Sequence, residues 1–399
     1  MISRLIKNGK ILEGNKLVEK NIIIEDNKIK DITDDIVAVD EVIDAEGNII
    51  LPGIIDGHVH FREPGLTHKE DFLTGSKAAA AGGITTILDM PNTKPATTTL
   101  KLLEEKRELA KKSLVNYGFH FGATMDNLQE IKEVKKIASV KIYMDETTGD
   151  LKIDNDEVLQ RIFNNTKRVA VHAENENVLK AINFLKNSTN KKILLYLCHI
   201  SQESEIKVIK RNKSARIFAE ATPHHLFLTD KDDKDAFTKM KPTLKTKQDQ
   251  DALWQAISKD VINTIGSDHA PHTIEEKNSN VVYGVPGVET LLPLLLNAVN
   301  KKRLKLGQLV RLCCENPAKI FKLKNKGFLK EGYDADLVII DMNKEKTVKN
   351  EELLTKCKWS PFNGWKLKGW PLKTIVNGNL IYDNGLLNEV KAKEVEYYE

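Results

Sequence analysis

Two histidines one residue apart, His58 and His60, sit in the stretch DGHVHFREPG at positions 56–65, at the end of an apolar run. Side chains alternate across a strand, so both imidazoles face the same side and can share a metal ion. Alone, the pair is equally consistent with two polar strand residues. Four further chemically capable residues shift that balance, each near the end of a different apolar run: Lys141 in VKIYM, His172 in VHAE, His199 in LCHI and Asp268 in GSDHAPH. Eight of the ten histidines fall in these motifs or in the pair His224-His225, leaving only His68 and His120 elsewhere.

Imidazoles with carboxylates suit a borderline divalent ion such as zinc, and two adjacent ions can share one hydroxide and activate it near neutral pH. Lysine is an odd companion, because an ammonium cannot ligate and repels cations. Reacted with CO2, Lys141 would instead offer two carbamate oxygens. The plainer alternative is a buried or snorkelling lysine beside Tyr143. Arg62, two residues beyond His60, shares its strand face and can grip a carboxylate through two parallel hydrogen bonds. Its plain alternative is a surface ion pair with Glu63 or Asp71.

These residues need a scaffold that gathers distant strand ends. Apolar runs at positions 54–60, 84–90, 115–121, 140–144, 169–173, 193–199, 216–221 and 261–267 are mostly followed by helical patterns. Eight such repeats predict a closed (β/α)8 TIM barrel, an α/β fold whose sites lie at the C-terminal ends of the strands. A doubly wound sheet is the alternative, but no Gly-rich phosphate fingerprint follows an early strand. Short alternating segments at both ends of the chain, broken by Asn8-Gly9, Gly14-Asn15, Asp26-Asn27, Asn377-Gly378 and Asp383-Asn384, predict a small β-sandwich domain formed by both termini. The expected division is 1–51 with 328–399 for the β domain and 52–327 for the barrel.

Composition narrows the function classes. The formal charge of +4 is a small difference between 61 basic and 57 acidic residues spread along the chain, which argues against a nucleic-acid partner. No apolar run reaches the roughly 20 residues of a membrane-spanning helix, and the first ten residues show no secretory pattern. Four cysteines without a CxxC pair fit a reducing compartment, so a cytoplasmic location is the expectation.

DGHVHFREPG, taken with DMPNT (Asp89 onward), VHAE, CHI, PHHL and SDHAPHT, resembles the cyclic amidohydrolase superfamily and within it the dihydroorotases, over nearly the whole chain. That resemblance implies a zinc enzyme that interconverts dihydroorotate and N-carbamoyl-L-aspartate, the third step of pyrimidine biosynthesis. It implies that His58, His60 and Asp268 hold one metal, His172 and His199 the other, and a carboxylated Lys141 bridges them. Cys198 and Glu220 stand where some multifunctional relatives hold an additional zinc, making two or three ions per chain; a small core residue is the equal alternative for Cys198. Asp268 is implied as the proton shuttle. Arg62, Asn92 and His272 are implied as substrate anchors, with Thr147, Pro286 and Gly287 as further candidate contacts. A homodimer and association with aspartate transcarbamoylase are the partners the resemblance suggests.

Two positions depart from the family pattern: Lys241 precedes Pro242 where asparagine or arginine is common, and Thr148, in the loop 146–149, stands where some relatives have an aromatic residue. Competing readings are a hydantoinase, dihydropyrimidinase or allantoinase, which act on rings lacking the carboxylate that Arg62 would hold, and a non-catalytic scaffold, which would lack the ligand set.

Overall fold

Both ends of the chain build a single sheet, and the segment between them builds a barrel. The computed structural model describes residues 2–147 and 150–398. The N-terminal strands are β1 (Ser3–Glu13), β2 (Lys16–Glu25), β3 (Lys28–Thr33), β4 (Glu41–Asp44) and β5 (Ile49–Pro52). The barrel strands are β6 (Ile54–Val59), β7 (Ile84–Asp89), β8 (Asn116–Gly122), β9 (Ser139–Tyr143), β10 (Arg168–His172), β11 (Leu194–Leu197), β12 (Ile217–Ala221) and β13 (Thr264–Ile265). The C-terminal strands are β14 (Leu337–Thr347), β15 (Lys366–Val376), β16 (Asn379–Asp383) and β17 (Leu386–Leu387).

The terminal strands hydrogen-bond in the order β17-β16-β15-β14-β5-β1-β2-β3, with β4 beside β1. Ile6, Ile22, Ile24 and Ile50 from one end pack in one cluster with Leu337, Ile339 and Ile375 from the other, so neither end completes this core alone. Four of the five expected turns lie between strands. The fifth, Asn8-Gly9, falls inside β1, where the register with β2 shifts between Ile6 and Gly9 and Asn8 takes φ +56°. It is a bulge rather than a turn. A Cβ at Gly9 would lie 2.2 Å from the end of the Ile50 side chain, so a larger residue there would push Ile50 aside.

The barrel strands run parallel in sequence order from β6 to β13. β6 to β9 are buried at every position, polar residues such as Asp56, Thr86, His120 and Lys141 included. The ring closes where Val59 bridges His269 and the His60 amide donates to the His269 carbonyl at 2.8 Å. This closure shortens β13 from the expected 261–267. After Ile265 the chain leaves β12 and crosses to β6, passing through Gly266, where a Cβ would meet Glu220 Oε2 at 2.4 Å. The Ser267 amide donates to Asp56 Oδ1 at 3.0 Å, and Asp268 follows with φ +46°. The change of partner is what aims Asp268 into the barrel mouth. At its C-terminus the chain returns to the barrel: Val395 N donates to Tyr117 O at 2.8 Å, and Val395 packs with Ile55, Leu88, Ala170 and Phe321.

Candidate active site

His58, His60, Lys141, His172, His199 and Asp268 line one cavity, together with Arg62, Asn92, Tyr143, Thr147, Met240, Lys241, Ala270, Tyr283 and Gly284. The outer nitrogens of the first two histidines are held by oxygen acceptors: His58 Nδ1 lies 2.8 Å from Glu220 Oε1, and His60 Nδ1 lies 2.7 Å from Asn92 Oδ1. A proton on each Nδ1 satisfies both contacts and leaves each Nε2 lone pair facing Asp268 Oδ1, at 3.3 and 3.1 Å. Across the cavity His172 Nδ1 and His199 Nε2 lie 2.8 Å apart, while His199 Nδ1 is buried without a hydrogen-bond partner among the described residues. Burial holds the pKa values of His58, His60 and His199 well below the usual imidazole range, so these rings are neutral. Imidazoles converging in two groups, one completed by a carboxylate, fit divalent metal ions.

Lys141 is 1% exposed, yet its ammonium meets only Cys198 Sγ, at 3.1 Å, and the Tyr143 ring, at 5.0 Å; no carboxylate lies within ion-pair distance among the described residues. An uncompensated buried ammonium costs several kcal/mol. Cys198 and Glu220 also come together with His58. Glu220 is already engaged by His58, by the His199 amide at 3.0 Å and by the Tyr196 hydroxyl at 2.7 Å. Burial pushes the Cys198 thiol up to about 12. A third ion would therefore have to displace the His58–Glu220 hydrogen bond and deprotonate a reluctant thiol.

Arg62 is 2% exposed and adopts φ +63°. Its Nε donates to Pro271 O at 3.1 Å and its Nη2 lies 3.3 Å from His272 Nε2. The surface pairings weighed for it are taken by lysines, Glu63 by Lys112 and Asp71 by Lys356. His272 sits behind Arg62 rather than on the cavity wall, with Nδ1 3.2 Å from Lys69 Nζ and Nε2 3.0 Å from Tyr283 O. Burial and the Arg62 and Lys69 charges push His272 down to about 3, so it is neutral. Pro286 and Gly287 line a separate cleft with Thr355 and Trp359, although the Gly287 amide donates to Nδ1 of His269, the neighbour of Asp268, at 3.0 Å. Thr147 borders the mouth; Thr148 and Gly149 lie outside the described residues. Lys241 Nζ donates to Glu146 O at 3.0 Å and lies 4.9 Å from the Tyr283 ring.

The cavity also contains residues that sequence reasoning did not single out. Tyr143 shares a strand face with Lys141, a two-residue spacing that could have revealed it. Met240, Ala270, Tyr283 and Gly284 come from loops without periodicity and carried no such signal.

Residues 49–381 match the model of the Amidohydrolase family. Dihydroorotase of Methanosphaera stadtmanae is 40% identical, with 92% of this chain and 94% of that protein aligned. Dihydroorotase of Pyrococcus abyssi is 39% identical over 96% and 95%. The multifunctional protein CAD of Squalus acanthias is 37% identical over 84% of this chain and 15% of its own length. Among solved structures, L-hydantoinase (dihydropyrimidinase) from Arthrobacter aurescens superimposes with a TM-score of 0.92 at 29% identity, covering 99% of this chain and 100% of that one. Dihydropyrimidinase from Brevibacillus agri gives 0.89 at 26% identity, covering 99% of each. With a family model spanning most of the chain, and curated relatives near 40% identity aligned end to end, the chain belongs to the dihydroorotases of the amidohydrolase family.

Proposed function

We propose that this chain catalyses the reversible hydrolysis of (S)-dihydroorotate to N-carbamoyl-L-aspartate, with 52–327 as the catalytic barrel and the β domain of 1–51 and 328–399 as its support. The observation that carries the substrate choice is Arg62: a buried guanidinium, without a carboxylate partner among the described residues, on the same cavity wall as His60 and Asp268. A neutral ring would leave that guanidinium without an ion-pair partner in contact; a ring carboxylate supplies one with charge-assisted hydrogen bonds. Hydantoinases and dihydropyrimidinases share the fold, but the sequence likeness to dihydroorotases is higher over comparable coverage.

His58, His60 and Asp268 would hold one divalent ion and His172 and His199 a second, with carboxylated Lys141 between them; zinc suits these donors. Such ions would polarise the scissile carbonyl and lower the pKa of water. Asp268 takes the proton released as water adds to the carbonyl carbon and delivers it to the ring nitrogen as the C–N bond breaks. Arg62 holds the ring carboxylate, Asn92 keeps the His60 ring oriented, and His272 braces Arg62 from behind. Ring closure consumes a proton and releases water, so acid favours dihydroorotate and alkali the open form. Thr147 borders the path to this site.

The test is metal content together with ring opening of dihydroorotate, dihydrouracil, hydantoin and allantoin on one preparation. Two bound ions and turnover confined to dihydroorotate are expected. Turnover of only the neutral rings would move the chain to the hydantoinase reading, and absence of both metal and activity after metal and bicarbonate are supplied would leave a scaffold.

A further inference from the structure

We propose that the buried ion pair Asp89–Lys106 is the positioning element of the carboxylate-recognition wall, setting how strongly the site prefers a ligand with a carboxylate over its neutral counterpart. Both side chains are fully buried, and Lys106 Nζ lies 2.6 Å from Asp89 Oδ2. The proposal rests on the reading of Arg62 given above.

Lys106 belongs to the outer helix Leu100–Ala110, whose buried positions are Leu103, Lys106 and Ala110. The lysine thus occupies the apolar stripe of an amphipathic helix, where a leucine or methionine would ordinarily pack. Replacing a buried ion pair by apolar residues of similar volume is often neutral or stabilising. Stability alone therefore does not account for a charge at that point, and the contacts of the pair supply another reason.

Each atom of the pair holds part of one of two turns. Asp89 Oδ1 accepts from the amide of Phe61, the residue between His60 and Arg62, at 2.7 Å. Lys106 Nζ donates to Met90 O at 2.8 Å, two residues before Asn92. The Met90 amide donates to Val59 O at 2.8 Å, and Asn92 Oδ1 meets His60 Nδ1 at 2.7 Å. These contacts form a closed circuit from Asp89 through Phe61 and His60 to Asn92, Met90 and Lys106. Arg62 follows Phe61 with φ +63°, a conformation unfavourable for arginine that persists only under outside restraint. The Phe61–Asp89 hydrogen bond provides that restraint one residue before the strained position. Loss of the pair should relax Arg62 and let its guanidinium drift from the carboxylate it must meet, while leaving His172, at the end of β10, and His199, just beyond β11, untouched.

The experiment compares the binding of N-carbamoyl-L-aspartate with that of N-carbamoyl-β-alanine, the same ureido acid without the α-carboxylate, by calorimetry and by inhibition constants on the metal-loaded protein. Wild type is expected to prefer the aspartate derivative by about a hundredfold or more. Lys106→Met, and the charge-free double variant Asp89→Asn/Lys106→Met, are expected to lose roughly tenfold of that ratio through weaker binding of the aspartate derivative alone. Lys106→Arg, which keeps the cation, should retain most of it. If Lys106→Met does not fold because Asp89 is left unpaired, the double variant carries the test. An unchanged ratio in a folded variant, or equal weakening of both ligands, overturns the proposal and leaves a structural ion pair. A wild type without preference overturns the reading of Arg62 itself, and this inference with it, before any variant is made.

Discussion

The two acidic and basic groups closest to the chemistry have separable roles. Asp268 faces both His58 and His60 through one oxygen and is the carboxylate placed to carry a proton. Asp268→Asn keeps shape but cannot accept a proton, so kcat should fall by about 10²- to 10⁴-fold; metal analysis of the same variant separates proton transfer from loss of a ligand. Arg62 is placed to bind rather than to react. Arg62→Ala should raise KM for dihydroorotate about 10- to 150-fold, the range of a lost charge-assisted hydrogen bond, with a much smaller change in kcat. Equal loss in both parameters would contradict the binding role. The spacing of His58 and His60 pointed to a shared face because a strand repeats every two residues, whereas Arg62 reaches the same cavity from a left-handed turn beyond the end of β6 rather than from the strand expected for it. Glu220 as the partner of His58, and His272 as a brace behind Arg62, were not legible as such: both depend on contacts more than 160 residues apart in sequence.

Strand ends deliver these residues, and the turns after them set the angle of delivery. The loop after β6 approaches the loop after β7 so closely at Gly65 that a Cβ would lie 1.9 Å from Lys94 O, and Gly65 has φ +81°. Gly65→Ala meets both a left-handed backbone penalty and a clash with a carbonyl that cannot rotate away, together about 2–5 kcal/mol. The expected result is a lowered thermal midpoint with a loss of dihydroorotate affinity, since Arg62 lies three residues before it; an unchanged midpoint and affinity would mean the two loops separate without cost. Barrel strands were legible because Ile, Leu, Val and Phe recur through β6 to β9, every position of which is buried. β13 was overextended because a strand that changes partners looks the same in sequence as one that continues. Asn8-Gly9 was misread because a bulge and a tight turn both call for residues that tolerate positive φ.

At the scale of the whole molecule, the barrel and the turns around its mouth bury several neutral histidines, and that makes folding a proton-linked reaction. Burial lowers the pKa of His58, His60, His120, His199 and His224 well below the usual 6.5, that of His225 to about 4 and that of His272 to about 3. Each of these takes up a proton on unfolding at pH values between its folded pKa and 6.5, so the stability it contributes is present above that range and lost as pH falls through it. Asp56, Glu220 and Glu289 act in the opposite sense. Burial raises them to about 7, so they release protons on unfolding between their ordinary values and 7. The histidines outnumber the raised carboxyls, even with Asp89, Glu205 and Glu394 also pushed up by burial, leaving a net proton uptake, each proton worth up to about 1.4 kcal/mol per pH unit. The thermal midpoint of the metal-free protein should therefore fall steadily from pH 7 to pH 5. Metal bound to the same imidazoles must also be released before they protonate, so the holoprotein should show a higher midpoint at pH 7 and a steeper decline with acid. Melting curves with and without chelator across this range provide the check: a midpoint that stays flat or rises in acid would mean that the buried histidines already carry protons in the folded state, contrary to the neutral ligand set on which the site depends.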